Sequence, residues 1–322
     1  YEAWHLVPPT RYIAHDWHCN YGGLSDRMPY ASIMTTFGCP YRCAFCCIQA
    51  PFKTGESIIG YKPEVNSYRF WSPDNVIIEI DLLVNQYGVT NIKFHYEMFV
   101  LNPLHIKNIC RLITERYGDK LNIWAYTRVD TTKPEFLDML RKAGFTWLAV
   151  GIESASSKVR DGQDKDFNDD EIYKVVERIH NAGINVAANF IFGLPSDTIE
   201  TMQATLDMAI ALNTVFANFY CAMAYPGSAL YNQAKLKGIM LPDNPGGPGW
   251  IGYSQHAYET LPVATDSLTA AQVLAFRENA WLKYYSRPEY IEMLKARLGQ
   301  DAQKAIEYWN KQSYPLKRKI LE

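Results

Sequence analysis

The sequence predicts an α/β fold with a parallel sheet, followed by a helical C-terminal region. Between about residues 30 and 226, short apolar segments alternate with amphipathic ones, as strands and helices do in successive βα units. Cap and turn residues separate these segments, and beyond residue 267 only helical periodicity remains. Right-handed crossovers make such a sheet parallel, but periodicity leaves two forms open, a doubly wound sheet or a barrel.

Six segments have the branched and aromatic composition of buried parallel strands. In chain order they are residues 31–36, 91–96, 122–126, 146–151, 185–192 and 217–224. Because loops at the C-terminal ends of parallel strands build the active sites of both fold types, the residues that follow these strands are the candidate site residues.

The helices between the strands carry start and stop signals. Ser72 is placed to cap a helix with Pro73 at its first position, and Gly88 is placed to end it. Further helices are predicted at 133–144, 169–183 and 196–213. The same signals therefore support one βα unit after another.

The chain divides into three predicted segments. Residues 1–29 form an irregular N-terminal arm, residues 30–230 a core barrel, and residues 231–322 a Pro/Gly loop followed by helices. Thr269 and Gln272 have the spacing of a capping box at the start of the first of these helices. We expect this last region to serve as a lid or packing cap.

Composition excludes several classes of protein. The 322 residues are 48% apolar with a net charge of −2, so nothing resembles the basic surface of a nucleic-acid-binding protein. The basic run 317–319 is expected to be a solvated end. No apolar stretch approaches the length of a membrane span, and the first residues lack a signal-peptide pattern. Seven cysteines, an odd number, indicate a reduced, cytoplasmic compartment.

Four of the cysteines lie within nine residues, directly after the first predicted strand. Cys39, Cys43 and Cys46 have the spacing C-x3-C-x2-C, and three thiolates on one loop can bind a soft metal centre. A structural zinc site or a ferredoxin cluster needs four ligands. The spacing therefore favours a [4Fe–4S] cluster with one open iron, and the adjacent Cys47 is interpreted as a bystander.

The motif CPYRCAFC, with an aromatic residue before the last cysteine, resembles the signature of the radical S-adenosylmethionine (SAM) superfamily, and the resemblance extends over residues 30–226. It implies a partial (β/α)6 TIM-like barrel in which Cys39, Cys43 and Cys46 hold a [4Fe–4S] cluster. It also implies that SAM binds the open iron and is reductively cleaved to a 5′-deoxyadenosyl radical, which abstracts hydrogen from an unactivated carbon.

The resemblance also implies residues that bind SAM. Phe45 would pack near the adenine and Glu97 would hold the amino group. Arg128 would face the carboxylate, with an ion pair to Asp130 or Glu153 as the alternative. Glu153 occupies the position of the polar residue on the ribose side.

The fifth strand ends in NFIFGLPSD, which resembles the family pattern G-x-I-x-G-x-x-E. Ile191 and Gly193 match this pattern, whereas Asn189 replaces the first glycine and Ser196 replaces the acid. We predict cofactor contacts for the three residues Asn189, Ile191 and Gly193, with Asn189 able to bond the ribose; a purely structural asparagine is the alternative.

Four further segments, WHLVPP, HDWHCN, EMFVLNP and WIGYSQHAYETLP, resemble cobalamin-dependent radical SAM proteins of the class B methyltransferase type. This resemblance implies methylation or remodelling of an sp3 carbon, with cobalamin bound by a domain upstream of the barrel. The chain begins at Tyr1 and has no room for that domain, so we expect the domain to be missing from it. The near-match to a cobalamin loop at residues 16–22 is interpreted as coincidence.

Two alternatives stay open. One is a cobalamin-free radical SAM enzyme that abstracts hydrogen and then rearranges or fragments its substrate. The other is a non-catalytic iron–sulfur or zinc-binding module. For an enzyme, the expected partners are a small-molecule, lipid, tetrapyrrole or peptide substrate and an electron donor such as flavodoxin or ferredoxin, with no nucleic acid and no membrane span.

Overall fold

The structure, a computed structural model, describes residues 2–48, 68–95, 98–161, 165, 167–312 and 316–322. The strands are β1 Tyr30–Ile33, β2 Thr36–Gly38, β3 Tyr68–Phe70, β4 Asn91–Phe94, β5 Asn122–Arg128, β6 Phe145–Glu153, β7 Asn185–Phe192 and β8 Phe216–Cys221. The helices are α1 Pro73–Tyr87, α2 Pro103–Tyr117, α3 Pro134–Lys142, α4 Ser157–Asp161, α5 Asp169–Asn181, α6 Ile199–Leu212, α7 Ala229–Leu236, α8 Ala270–Tyr285, α9 Pro288–Leu298 and α10 Gln300–Gln312.

Six of the strands form one parallel sheet in the order β1-β4-β5-β6-β7-β8. This order follows the chain without the reversal that defines a doubly wound sheet, so the sheet is of the barrel type. Among the described residues β1 and β8 do not pair, and the barrel is therefore partial. The predicted partial (β/α)6 barrel with a helical C-terminal region is confirmed.

The first predicted strand is divided in two. β1 ends at Ile33, and Thr36 begins β2, which pairs antiparallel with β3 through the partners Thr36 and Phe70. The sequence did not indicate this hairpin because its two strands are more than thirty residues apart in the chain.

The helix signals are confirmed at two places and need correction at one. The Ser72 side chain accepts a hydrogen bond from Asn75 N at 3.2 Å, and Thr269 forms a capping box with Gln272. The helix predicted from residue 196 instead begins at Ile199, with Thr198 as its cap. Residues 195 and 196 form a turn that precedes it, closed by a hydrogen bond from Asp197 N to Leu194 O at 2.8 Å.

The N-terminal arm closes the barrel at the N-terminal ends of the strands. The ring centroid of Trp17 lies 4.8 Å from that of Trp124 on β5, 4.9 Å from that of Trp147 on β6 and 4.9 Å from that of Phe216 on β8. We call Trp17 and the residues around it the Trp17 plug. His18, within the near-match to a cobalamin loop, is buried in this plug and is 1% exposed.

The C-terminal region covers the exposed edge of β8. The Tyr285 hydroxyl donates to Ala217 O at 2.7 Å and accepts from Ala217 N at 2.9 Å. The Gln255 side chain likewise bonds both the N–H and the C=O of Cys221, at 3.0 and 2.9 Å. Because an open barrel leaves an unpaired strand edge, this region acts as a packing cap on that edge.

The expectation of a solvated basic tail is wrong for Arg318, which is 1% exposed. Its guanidinium bonds Glu278 Oε1 through Nε at 3.0 Å and through Nη2 at 2.7 Å, and its Nη1 donates to Ala257 O at 2.6 Å. Lys317 and Lys319 are exposed, as expected. The Glu278 carboxylate and the loop around Ala257, both distant in the chain, thus bury Arg318.

Two further observations concern the organisation of the chain. The predicted boundary between residues 230 and 231 falls within α7, so the helix runs across it without interruption. Within the described part of the chain, no helix is long and apolar enough to cross a membrane.

Candidate cofactor site at the strand ends

The cysteine loop, residues 39–47, follows β2 at the C-terminal edge of the sheet. Cys46 N donates to Cys43 O at 3.0 Å, which closes a turn within the loop. Leu230 N donates to Ala44 O at 2.8 Å, which ties the loop to the first turn of α7. Elements before and after the barrel strands therefore hold the loop over the strand ends.

Cys39, Cys43 and Cys46 line the same cavity, which has a volume of about 300 Å³. The other lining residues are Tyr41, Phe45, Ile48, Met98, Tyr126, Thr127, Arg128, Gly151, Glu153, Lys165 and Asn189. We call this space the cofactor cavity. It joins the predicted cluster ligands to four of the predicted SAM-binding residues: Phe45, Arg128, Glu153 and Asn189.

The three thiols share the cavity without converging on one point. Among the described residues, no group of three or more His, Cys, Asp or Glu side chains is placed to hold a metal ion. A single ion would need its ligands within about 2.3 Å of one centre. A [4Fe–4S] cluster spreads its ligands over different irons, so thiols that line one cavity need not share a single centre to serve as its ligands.

Burial raises the pKa of the Cys43 thiol to about 11, while the positive charges of Lys165 and Arg128 act to lower it. The thiol is therefore protonated at neutral pH when no metal is bound. Since thiolates are the ligands of iron, binding of a cluster at this site would release protons.

Arg128 lies at the end of β5, buried to 4% exposure. It forms a two-point ion pair with Asp130, with Nε to Oδ1 at 2.9 Å and Nη2 to Oδ2 at 2.8 Å. Its Nη1 is directed at Cys43 Sγ, 3.8 Å away, and its guanidinium stacks on Tyr41 at 3.6 Å. Of the two ion pairs considered, the one with Asp130 is present; contact with SAM stays a prediction.

Glu153, at the end of β6, pairs with a residue that the sequence reasoning missed. Lys165 Nζ lies 2.5 Å from Glu153 Oε1 and donates to Gly151 O at 2.7 Å. Both side chains are buried, with 8% and 3% exposure. Glu153 has a φ of +68°, and a Cβ on Gly151 would lie 2.8 Å from both charged groups.

This geometry explains why no local signal revealed the pair. A left-handed glutamate two residues after a glycine turns its carboxylate into the cavity, where ordinary strand geometry would not place it. Glu153 and Lys165 are twelve positions apart, which is not the spacing of an ion pair on one helix.

Asn189 and Phe45 offer the cofactor cavity different kinds of contact, one polar and one apolar. Asn218 Nδ2 donates to Asn189 Oδ1 at 2.8 Å, whereas the Asn189 amide nitrogen makes no hydrogen bond to a described residue. Phe45 is partly buried and packs on an apolar cluster that includes Ile191 and Leu230. Asn189 can therefore offer an N–H donor to a ligand, and Phe45 an apolar wall.

Ile191 and Gly193 are not among the described residues that line the cavity. Gly193 has a φ of +85°, and a Cβ there would lie 2.5 Å from Val273 Cγ1 on α8. Its N–H donates to Asp197 Oδ2 at 2.9 Å, as does Leu194 N at 3.1 Å. The acid of this turn is thus Asp197, one residue after the Ser196 position, and the cofactor contacts of Ile191 and Gly193 stay predictions.

Two remaining predictions concern Glu97 and Cys47. Glu97 lies outside the described residues. Cys47 is half-buried and is not among the described residues that line the cofactor cavity. The interpretation of Cys47 as a bystander stays a prediction.

The fold and the site together define a class of protein: a partial α/β barrel with a three-cysteine loop and a cofactor cavity at its strand ends. The family model for the radical SAM superfamily matches residues 33–209, more than half of the chain. The chain belongs to the radical SAM superfamily. The cofactors implied by the resemblance, a [4Fe–4S] cluster and SAM, are those of this family.

Three known proteins show the range of similarity. An uncharacterized methyltransferase of Pyrococcus horikoshii is 27% identical over 90% of this chain and 56% of its own length. The anaerobic magnesium-protoporphyrin IX monomethyl ester cyclase of Cereibacter sphaeroides is 25% identical over 78% of this chain and 38% of its own length. The chain therefore spans about half or less of these relatives.

Among solved structures, the radical SAM methyltransferase TsrM of Kitasatospora setae, with cobalamin and a [4Fe–4S] cluster bound, has a TM-score of 0.56. It is 22% identical, and the match covers 68% of this chain and 38% of that one. At this level of identity the similarity establishes the fold.

Proposed function

We propose that this chain is the radical SAM core of an enzyme that methylates an unactivated carbon with the help of cobalamin. The observation that carries the proposal is the cofactor cavity, where three thiols share one space with Arg128, Asn189 and the Glu153–Lys165 pair. When bound, the [4Fe–4S] cluster supplies the electron that cleaves SAM to a 5′-deoxyadenosyl radical.

The charged residues of the cavity suit a zwitterionic ligand. SAM carries an amino and a carboxylate group, and charge-assisted hydrogen bonds to both favour binding. Arg128 already spends two guanidinium nitrogens on Asp130. The Lys165 ammonium is likewise bonded to Glu153 and to Gly151 O, so both Arg128 and Lys165 are partly engaged cations of the described cavity that could meet the carboxylate. Glu153 and Asn189 can accept from and donate to the ribose.

Methyl transfer is the reaction that the related proteins favour. The P. horikoshii relative is named a methyltransferase, and TsrM is a methyltransferase whose structure contains cobalamin. We extend both properties to this chain, with a cobalamin-binding domain outside it. A small-molecule or tetrapyrrole substrate, a cytoplasmic location and an electron donor such as flavodoxin or ferredoxin belong to the same proposal.

The similarity to a magnesium-protoporphyrin ester cyclase favours a second candidate. In this case the enzyme would abstract hydrogen and remodel its substrate without transferring a methyl group. A non-catalytic zinc module has less support, because the chain belongs to a superfamily defined by SAM chemistry.

The test is anaerobic reconstitution, with iron, sulfide and cobalamin, of the protein that joins this chain to its cobalamin-binding domain, followed by incubation with SAM and dithionite. We expect 5′-deoxyadenosine together with S-adenosylhomocysteine, the product that remains after SAM donates its methyl group. Formation of 5′-deoxyadenosine alone would favour the second candidate. If protein that carries a full cluster forms neither 5′-deoxyadenosine nor S-adenosylhomocysteine, both candidate functions are contradicted.

Cys43→Ala and Cys47→Ala form a matched pair of variants on the same loop. Cys43→Ala should lose the cluster absorbance and reduce 5′-deoxyadenosine formation at least about a hundredfold, since one iron loses its ligand. Cys47→Ala should retain both. Equal losses in the two variants would contradict the assignment of three cysteines to the cluster.

A further inference from the structure

A half-buried lysine lies in the barrel interior, next to the cofactor cavity. Lys93 on β4 is the register partner of Trp124 on β5, and its neighbours Ile92 and Phe94 are fully buried on the opposite, helix-covered face. Its ammonium lies 4.1 Å from the centroid of the Trp124 ring and 5.7 Å from that of Tyr126. Since Tyr126 lines the cofactor cavity, Lys93 lies one side-chain layer from it.

The Lys93 ammonium has no anionic partner within the described part of the chain, where it makes neither an ion pair nor a hydrogen bond. Burial lowers its pKa to about 8, and no carboxylate contributes to the shift. The stacking on Trp124 compensates part of the cost of burial but supplies no hydrogen-bond acceptor. A half-buried cation without an acceptor has the chemistry of a binding site for an anion.

The surroundings of Lys93 contribute no negative charge. Burial lowers the pKa of His15 and the pKa of His95, and the positive charge of Lys93 lowers both further. On the next strand of the sheet, the half-buried Tyr30 hydroxyl lies 2.9 Å from Ser32 Oγ. The Asp16 carboxylate acts on the neighbouring His15, but no described carboxylate acts on Lys93 itself.

Trp124 and Tyr126 have different parts in this arrangement. Trp124 is 4% exposed and packs against Trp17. Its ring therefore positions the Lys93 ammonium, which lies over the ring and covers it. Tyr126 is half-buried and has one side in the cofactor cavity. A ligand that reaches Lys93 from the cavity would therefore lie along the Tyr126 ring.

We propose that Lys93 and Tyr126 form the substrate subsite, in which the ammonium binds a carboxylate and the phenol ring packs against an aromatic or conjugated ring of the same molecule. Trp124 is a positioning residue for Lys93. The inference rests on the proposed function, because it places the substrate beside the cavity in which SAM would be cleaved. It names the substrate class as a carboxylic acid with a flat ring.

The test compares two probes that differ only in charge: indole-3-propionate and indole-3-propionamide. Both are titrated calorimetrically into the reconstituted protein with SAM present. We expect the acid to bind about tenfold or more tightly than the amide, as a charge-assisted hydrogen bond would give. Equal binding of the two probes, or no binding of either, would overturn the inference, and this comparison needs only the unmutated protein.

Variants of Lys93 test whether its positive charge causes the preference for the acid. Lys93→Gln should abolish the preference for the acid, and Lys93→Arg should retain most of it, with iron content and thermal unfolding measured as controls for folding. Retention of the preference in Lys93→Gln would overturn the inference. The two proposals fail separately: a protein that cleaves SAM but shows no preference overturns only this one, and the reverse result overturns only the proposed function.

Discussion

At the scale of single residues, the buried pair of Glu153 and Lys165 carries the most information about the site. It places opposite charges 2.5 Å apart inside a cavity, with the glutamate at a φ of +68°. Both features are costly for stability, since charges resist burial and a non-glycine residue resists the left-handed region. Such costs are usually retained where a ligand uses them, which supports a function in SAM binding.

We predict that Lys165→Met destabilises the protein by about 3–5 kcal/mol, because it leaves the Glu153 carboxylate buried without its partner. Urea unfolding measures the loss. The double variant Glu153→Gln/Lys165→Met should recover most of it, since no charge then stays buried.

The control is Lys142→Met, which removes an exposed pair with Asp138 and should cost less than about 1 kcal/mol. A loss for Lys165→Met no larger than that of Lys142→Met would show that the buried pair does not contribute as described.

At the scale of elements, the edge strand β8 shows how an open barrel stays intact. Its inner neighbour β7 satisfies one side of the strand by parallel pairing. Side chains of the C-terminal region satisfy the other: Tyr285 at Ala217, the Arg277 guanidinium at Phe219 O and Gln255 at Cys221. Three side chains thus replace the neighbouring strand that a closed barrel would provide.

We predict that Tyr285→Phe destabilises the protein by about 1–3 kcal/mol, because both backbone groups of Ala217 lose a buried partner. Hydrogen exchange should accelerate at residues 216–221 before it does so elsewhere in the sheet. Tyr308→Phe on α10 is the matched control, since Tyr308 is 63% exposed. Unchanged exchange in β8 would contradict the capping of the edge.

At the scale of the whole molecule, the two ends of the chain hold the barrel from opposite sides. The N-terminal arm inserts Trp17 at the N-terminal strand ends. The C-terminal residues 316–322 return to α8 and to the loop before it, where Arg318 joins Glu278 to Ala257 and Thr260. Both segments are short, and both depend on contacts with residues far away in the chain.

We predict that Arg318→Met destabilises the protein by about 3 kcal/mol or more, because it removes one partner of a buried ion pair and leaves carbonyls without donors. Urea unfolding with Lys319→Met as the control measures this, since Lys319 is exposed on the same segment. Equal effects of the two substitutions would contradict the burial of Arg318.

Much of the fold was predictable from the sequence because the relevant signals are local. The segments 91–96 and 185–192 have the composition of buried strands, and both contain the observed β4 and β7. The Ser72 cap and the Thr269–Gln272 box act within four residues. The cysteine spacing is likewise a property of one loop, so the cluster ligands and the family could be predicted without any knowledge of tertiary contacts.

The sequence by itself thus determined the order of the elements, the three-cysteine loop and the family to which the chain belongs. Only the tertiary structure decided that Lys165 joins Glu153, that Arg128 is engaged by Asp130 and that Arg318 is buried. It also decided that Lys93 lies beside the cofactor cavity with no ion-pair partner in the described part of the chain. The physical reason is that burial and charge pairing depend on which distant segments meet. A local pattern carries propensity and spacing, but it does not specify the neighbours that give a charged side chain its role.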